Sequence, residues 1–129
     1  MSRAEMRAAI TAALGVPPGA TIVTMTDFAG AAITQSVDFM VSKLLKDVDH
    51  AAFAGWLAVT LANPIEVWDR IDNGSVKRHY FSAYGFRQGK VVYHVAAVAT
   101  PSGVWITSFH KWSAAGIDSK RDGTLIHRC

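Results

Sequence analysis

A chain of 129 residues that is 50% apolar and 18% charged has enough hydrophobic material for one compact core, which argues against wholesale disorder. Its single cysteine, Cys129, excludes an intramolecular disulfide framework and a multi-cysteine zinc site, and suits a reducing compartment. The net charge of +3 is uneven: residues 76–129 carry eight Lys and Arg against Asp118 and Asp122 alone, an imbalance that attracts anions through its summed field.

Ser2 and Glu5 make a capping-box pattern ahead of a helix over Arg3–Leu14 that Gly15 ends. Arg3, Glu5 and Arg7 interrupt the start before any long apolar stretch, so no secretory signal is expected. Val16-Pro17-Pro18-Gly19 breaks the helix, and Ala20–Met25 fits a short strand. Val37, Met40, Val41, Leu44 and Leu45 recur at helical spacing and predict a second helix over Gln35–Lys46. Asp49 would cap a third, running through Phe53, Trp56, Leu57, Val59 and Thr60. That segment is apolar nearly all round and is expected inside the core. Asn63-Pro64-Ile65-Glu66 then reads as the start of a short fourth helix, anchored by Val67, Trp68 and Ile71 and ended by Asn73-Gly74.

After Gly74 the texture changes. Lys77–Arg87, Val91–Ala99 and Val104–Lys111 are rich in β-branched and aromatic residues and read as strands. Arg87-Gln88-Gly89-Lys90 and Thr100-Pro101-Ser102-Gly103 supply tight turns between them. Such short connections demand antiparallel neighbours, with Val91–Ala99 in the middle. Ser113–Arg121 is a short helix or a loop, and Asp122-Gly123 leads into a last strand, Thr124–Arg128. The expected class is α+β: a helical portion, residues 1–60, packed on a four-stranded antiparallel sheet in a β-rich domain, residues 61–129. The charge-free window Val91–Phe109 contains His94, Pro101 and Gly103, so it reads as two strands and a turn rather than a membrane span.

There is no glycine-rich phosphate loop, no Gly-x-Ser-x-Gly elbow and no paired-histidine zinc motif. With the strands placed as above, only Asp118 and Asp122 accompany the sheet, too few carboxylates for a metal-dependent nuclease. What remains is Lys77, Arg78 and His79 on the first strand, His94 on the second, and Thr107, Ser108, His110 and Lys111 at the end of the third. Lys120, Arg121 and His127 follow near the last strand. Strict alternation puts Val104, Ile106, Ser108 and His110 on one face, and Trp105, Thr107, Phe109 and Lys111 on the other. These residue types suit metal-free RNA cleavage, in which the ribose 2′-hydroxyl is the nucleophile. Histidine, with a reference pKa of ~6.5, transfers protons, while Lys and Arg stabilise the phosphorane charge. His94 reads as a hydrogen-bonded sheet residue and His127 as surface decoration; His110, beside Lys111 at a strand end, is the stronger candidate.

Leu61-Ala62-Asn63-Pro64-Ile65-Glu66-Val67-Trp68, Lys77-Arg78-His79-Tyr80, Trp105-Ile106-Thr107-Ser108-Phe109 and Lys120-Arg121-Asp122-Gly123-Thr124-Leu125-Ile126 follow one another along the chain. In order and spacing this string resembles the phage-associated nuclease family of the barnase–EndoU–colicin–RelE group, over residues 61–128. The resemblance implies helices before a four-stranded sheet, and a metal-independent endoribonuclease that needs no cofactor and leaves a 2′,3′-cyclic phosphate. It places the family's basic residues at Arg78 and Arg121 and its Trp-x-Thr element at Trp105 and Thr107. On this reading Arg78 and Arg121 hold the scissile phosphate, His110 or His79 transfers protons, and Thr107 or Ser108 orients. Lys77, Lys111 and Lys120 bind substrate. RNA is the expected partner, beside an immunity protein or a virion protein, with no membrane. The bacterial cytoplasm or the virion is the expected place. The alternatives are a non-catalytic binding module on the same fold and an RNA-binding regulator that does not cleave.

Overall fold

Ser2 begins the first helix as its sequence requires: its hydroxyl accepts from the Glu5 N–H at 3.1 Å, and its own N–H donates to the Glu5 carboxylate at 3.2 Å. The computed structural model describes residues 2–44, 50–86, 89–113 and 116–129. Along them run α1 (Arg3–Leu14), β1 (Ile22–Thr26), β2 (Ala32–Ser36), α2 (Val37–Leu44) and α3 (His50–Ala62). Then come β3 (Glu66–Asp72), β4 (Ser75–Phe86), β5 (Gly89–Thr100), β6 (Gly103–Ser113), a 3-10 turn (Asp118–Lys120) and β7 (Thr124–Arg128). Leu45, Lys46, Asp49, Arg87 and Gln88, which figured in the expected helix ends and hairpin, lie outside the described residues.

The α+β class stands, but the four-stranded antiparallel sheet does not. One mixed sheet of seven strands runs in the order β1-β2-β6-β5-β4-β3-β7. β5 is antiparallel to both β4 and β6, as the short turns demanded. β2, however, lies parallel to β6, with Thr34 opposite Trp105. The chain between them is long enough for such a crossover.

Two segments account for the difference. Residues 66–72 form β3 instead of a helix. Pro64 acts on what precedes it, ending α3 at Ala62, because the residue before a proline is pushed out of helical geometry. Asn73 and Gly74, at φ of 51° and 79°, are the two central residues of a β3–β4 hairpin in which Asp72 faces Ser75. Asn-Gly at positive φ is the strongest short hairpin signal, and it serves here as a turn, not as a helix stop. Gln35, expected within α2, belongs to β2, where Ile33 and Gln35 are buried. The Ser36 hydroxyl accepts from Phe39 N–H at 3.2 Å, and α2 starts only there.

The helices cover one face of the sheet. Met6 and Ile10 of α1, Met40 and Val41 of α2, and Leu57 and Leu61 of α3 bury against Val67, Tyr80, Val95, Ala97 and Phe109. Each such aliphatic side chain contributes about 1.5–3 kcal/mol. α3 is not enclosed: Leu57, Thr60 and Leu61 are buried, but Val59 is 40% exposed, so one flank meets solvent. A smaller apolar cluster, Phe81, Val92 and Ile117, sits on the opposite face, where the segment leading to β7 crosses the sheet. That crossing is close. A Cβ on Gly123, whose φ is 97°, would collide with the Asp69 carbonyl oxygen of β3.

Candidate functional site

A bulge in β6 decides which side chains meet. Ser108 pairs with Ala96, but the next partner of β5, Ala97, faces Ile106, so Thr107 is an extra residue. Its hydroxyl donates to the Ala96 carbonyl at 3.2 Å. The bulge overturns the strict alternation expected for this strand. Ser108 and His110 share the helix-free face with Trp105, and Phe109 and Lys111 turn to the helix side with Ile106.

On the helix-free face, the registers align three rows across β3, β4, β5 and β6. They are Glu66–Phe81–His94–His110, then Trp68–His79–Ala96–Ser108, then Arg70–Lys77–Val98–Trp105. Three histidines thus adjoin. His79 Nδ1 and His94 Nε2 lie 2.7 Å apart in a hydrogen bond, with parallel rings. The His94 and His110 rings are 6.3 Å apart. His79 and His94 are 2% and 3% exposed, and His110 is half-buried. Burial, with Arg70, Lys77 and Lys120 adding to it, pushes His79 down to about 4. Burial, then His79, His110, Lys120 and Lys77, pushes His94 to about 3. His110 is lowered by burial and by Lys43, Lys120 and Lys77. Lys120 reaches this face from the 3-10 turn, its ammonium 5.2 Å from the centre of the Trp112 ring.

Next to the histidines a cleft of about 380 Å³ is lined by Glu66, Val92, Ile117, Arg121, Arg128 and Cys129, among others. Arg121 Nε lies 3.1 and 3.0 Å from the two Glu66 oxygens and also pairs with Asp118. Trp68 Nε1 and Arg128 donate to Glu66 at 3.0 and 3.3 Å. Burial pushes the Glu66 carboxyl up, but these hydrogen bonds from Trp68, Arg121 and Arg128 more than offset it, so the group is held below its ordinary range. Sequence reasoning missed Glu66 by assigning it to a helix cap. With β3 in the sheet, Glu66, Asp69 and Asp72 accompany it, which corrects the expectation that Asp118 and Asp122 were its only acids.

Arg78 occupies the other face. Its Nε and Nη2 reach the two Asp69 oxygens at 2.7 and 2.9 Å, a bidentate pair. Beside it the Tyr80 hydroxyl donates to Asp27 at 2.9 Å, and Asp27 also accepts from the N–H groups of Ala29 and Ala31. Arg78 and Arg121 therefore stand on opposite faces of the sheet, and one phosphate cannot meet both. Lys77, His79, Ser108, His110, Lys120 and Arg121 are brought to one face; Arg78 and Lys111 are not. His127, on β7, packs against Phe28 at 4.7 Å between ring centres. His94 was the other residue undervalued from sequence. The antiparallel pairing of β4 with β5, His79 opposite Ala96, puts His79 and His94 on the same face, but the bulge that brings His110 to them leaves no sequence signal.

Among the described residues, no group of three or more His, Cys, Asp and Glu is placed to hold a metal ion. No described helix is long and apolar enough to cross a membrane. Residues 12–128 match the family described as phage-Barnase-EndoU-ColicinE5/D-RelE like nuclease2, and the chain belongs to it. The match begins well before Leu61, where the sequence resemblance started. No curated protein and no solved structure matches the chain.

Proposed function

We propose that this protein is a metal-independent endoribonuclease whose substrate lies on the helix-free face of the sheet. The observation that carries the reading is the cluster of His79, His94 and His110 set among Arg70, Lys77 and Lys120. His110 is the least buried of the three, and its lowered pKa keeps it unprotonated and ready to take the 2′-hydroxyl proton near neutral pH. Ser108, one row away on the same strand, orients the ribose or phosphate. Lys77 and Lys120 meet the developing charge. Arg78, tied to Asp69 on the other face, takes no part in this arrangement.

The test is purified protein with labelled RNA in excess chelator, scored for 2′,3′-cyclic phosphate ends, with DNA of the same sequence as control. Cleavage of RNA alone is expected. A second reading, a non-catalytic module on the same fold, is favoured by the commitment of both Arg78 and Arg121 to carboxylates. RNA that is bound but left intact across several substrates would select it.

A further inference from the structure

Protein contacts do not account for the His79–His94 pair. Two neutral imidazoles that share one N–H···N bond keep one bare nitrogen and one N–H pointing elsewhere, whichever ring donates. Those two atoms, His79 Nε2 and His94 Nδ1, are buried and have no hydrogen-bond partner among the described residues. One added proton changes this arrangement: the shared bond persists and both outward nitrogens become donors. An oxyanion, which only accepts, complements that state and not the neutral one.

The charges around the pair oppose the added proton until an anion arrives. Arg70 and Asp72 act on it from β3, Lys77 from β4, His110 from β6 and Lys120 from the 3-10 turn, while Lys43 of α2 acts on His110. Burial first, and then three cations against one carboxylate, hold His79 neutral in the free protein, and burial with His79, His110, Lys120 and Lys77 does the same for His94, both far below the ordinary histidine range.

We infer that His79 and His94 form a proton store loaded by substrate: a phosphodiester seated between Lys77, Lys120 and His110 draws one proton from solvent onto the pair. This rests on the RNA-cleaving reading and supplies the acid which that reading lacks. As O2′ bonds to phosphorus its proton passes to His110. As the P–O5′ bond breaks, the leaving O5′ takes the proton held by the pair. One proton enters His110, one leaves the pair, and the site is reset through solvent.

Binding without chemistry isolates the claim. A 2′-O-methyl RNA cannot be cleaved, and its binding is measured by calorimetry at about pH 6 in buffers of different ionisation enthalpy. Uptake approaching about one proton per bound site is expected, with affinity rising by up to about tenfold per pH unit as pH falls. His94→Gln should abolish the uptake. Should that variant fail to fold, nitrogen-15 spectra of the wild-type histidines decide the matter: the His79–His94 pair should pass from two neutral rings to one neutral and one protonated ring when the RNA analogue is added. Binding with pH-independent affinity and unchanged tautomers would overturn the coupling, even if ordinary RNA is cleaved. Uptake without cleavage of ordinary RNA would keep the coupling and remove the nuclease reading. Failure of the analogue to bind at any pH would overturn the inference outright.

Discussion

The two faces of this sheet carry much the same residue types and treat them differently. Toward the helices, Arg78 is matched to both oxygens of Asp69, and buried Asp27 accepts from Tyr80 and two backbone N–H groups. On the free face, His79 and His94 are as deeply buried, yet each keeps a nitrogen without a partner among the described residues. Buried polar groups are ordinarily satisfied, and the unmet pair in the middle of the sheet is what the proposed substrate would complete. Residue type does not separate the faces, and the helix side is not wholly satisfied either, since the Gln35 side-chain oxygen is buried there without a partner among the described residues. What sets the free face apart is that unmet atoms there belong to two titratable rings in contact.

The sharpest way to break that contrast is to mutate one residue on each face. His110→Ala should lower RNA cleavage by ~10²-fold or more and flatten one limb of the pH–rate profile. Arg78→Met should leave the rate per folded molecule unchanged while lowering stability, since it strands the Asp69 carboxylate. Equal losses of rate in two folded variants would dissolve the distinction.

Acid comes next in size. His79 titrates near 4 in the fold against an ordinary 6.5, and His94 near 3, so the unfolded chain binds more protons across that interval. Stability is therefore fully present above about pH 6.5 and falls as pH drops toward 4 and below, by on the order of 3 kcal/mol. Urea unfolding across this range checks it. His79→Phe combined with His94→Phe should flatten the dependence.

Tyr80→Phe tests the helix-side face alone. It removes the donor to Asp27 and should cost about 2 kcal/mol with little effect on cleavage. The smallest effect is a calibration far from both faces. Ser2→Ala removes the α1 capping box and should lower stability by about 1 kcal/mol, with no change in RNA binding.

Local signals were legible in the sequence wherever one interpretation satisfied them. The α1 capping box, the Thr100–Gly103 turn and the antiparallel trio around β5 followed from spacing alone. Asn63-Pro64 and Asn73-Gly74 were ambiguous, because each serves equally as a helix boundary or as strand punctuation. Only the pairing of Val67 with Tyr80 and of Trp68 with His79 settles them as flanks of β3. That one assignment hid three carboxylates from the sheet and left Glu66 out of the candidate site. The position of His110 was out of reach for another reason, since it depends on a bulge that only the partner strand reveals.

The same bulge decides how β6 can change in length. Thr107 is the residue without a partner on β5, so deleting it alone would straighten the ladder and leave Ile106 opposite Ala97 and Ser108 opposite Ala96. Held in register at its Gly103 end, the strand would keep Ser108 and His110 on the free face and Phe109 and Lys111 toward the helices. A loss of two residues would invert facing, because the second step has no extra residue to absorb it. A single-codon deletion at the bulge should therefore be a trimming event and a second one an inverting event, with the chemistry of one face exchanged for the packing of the other.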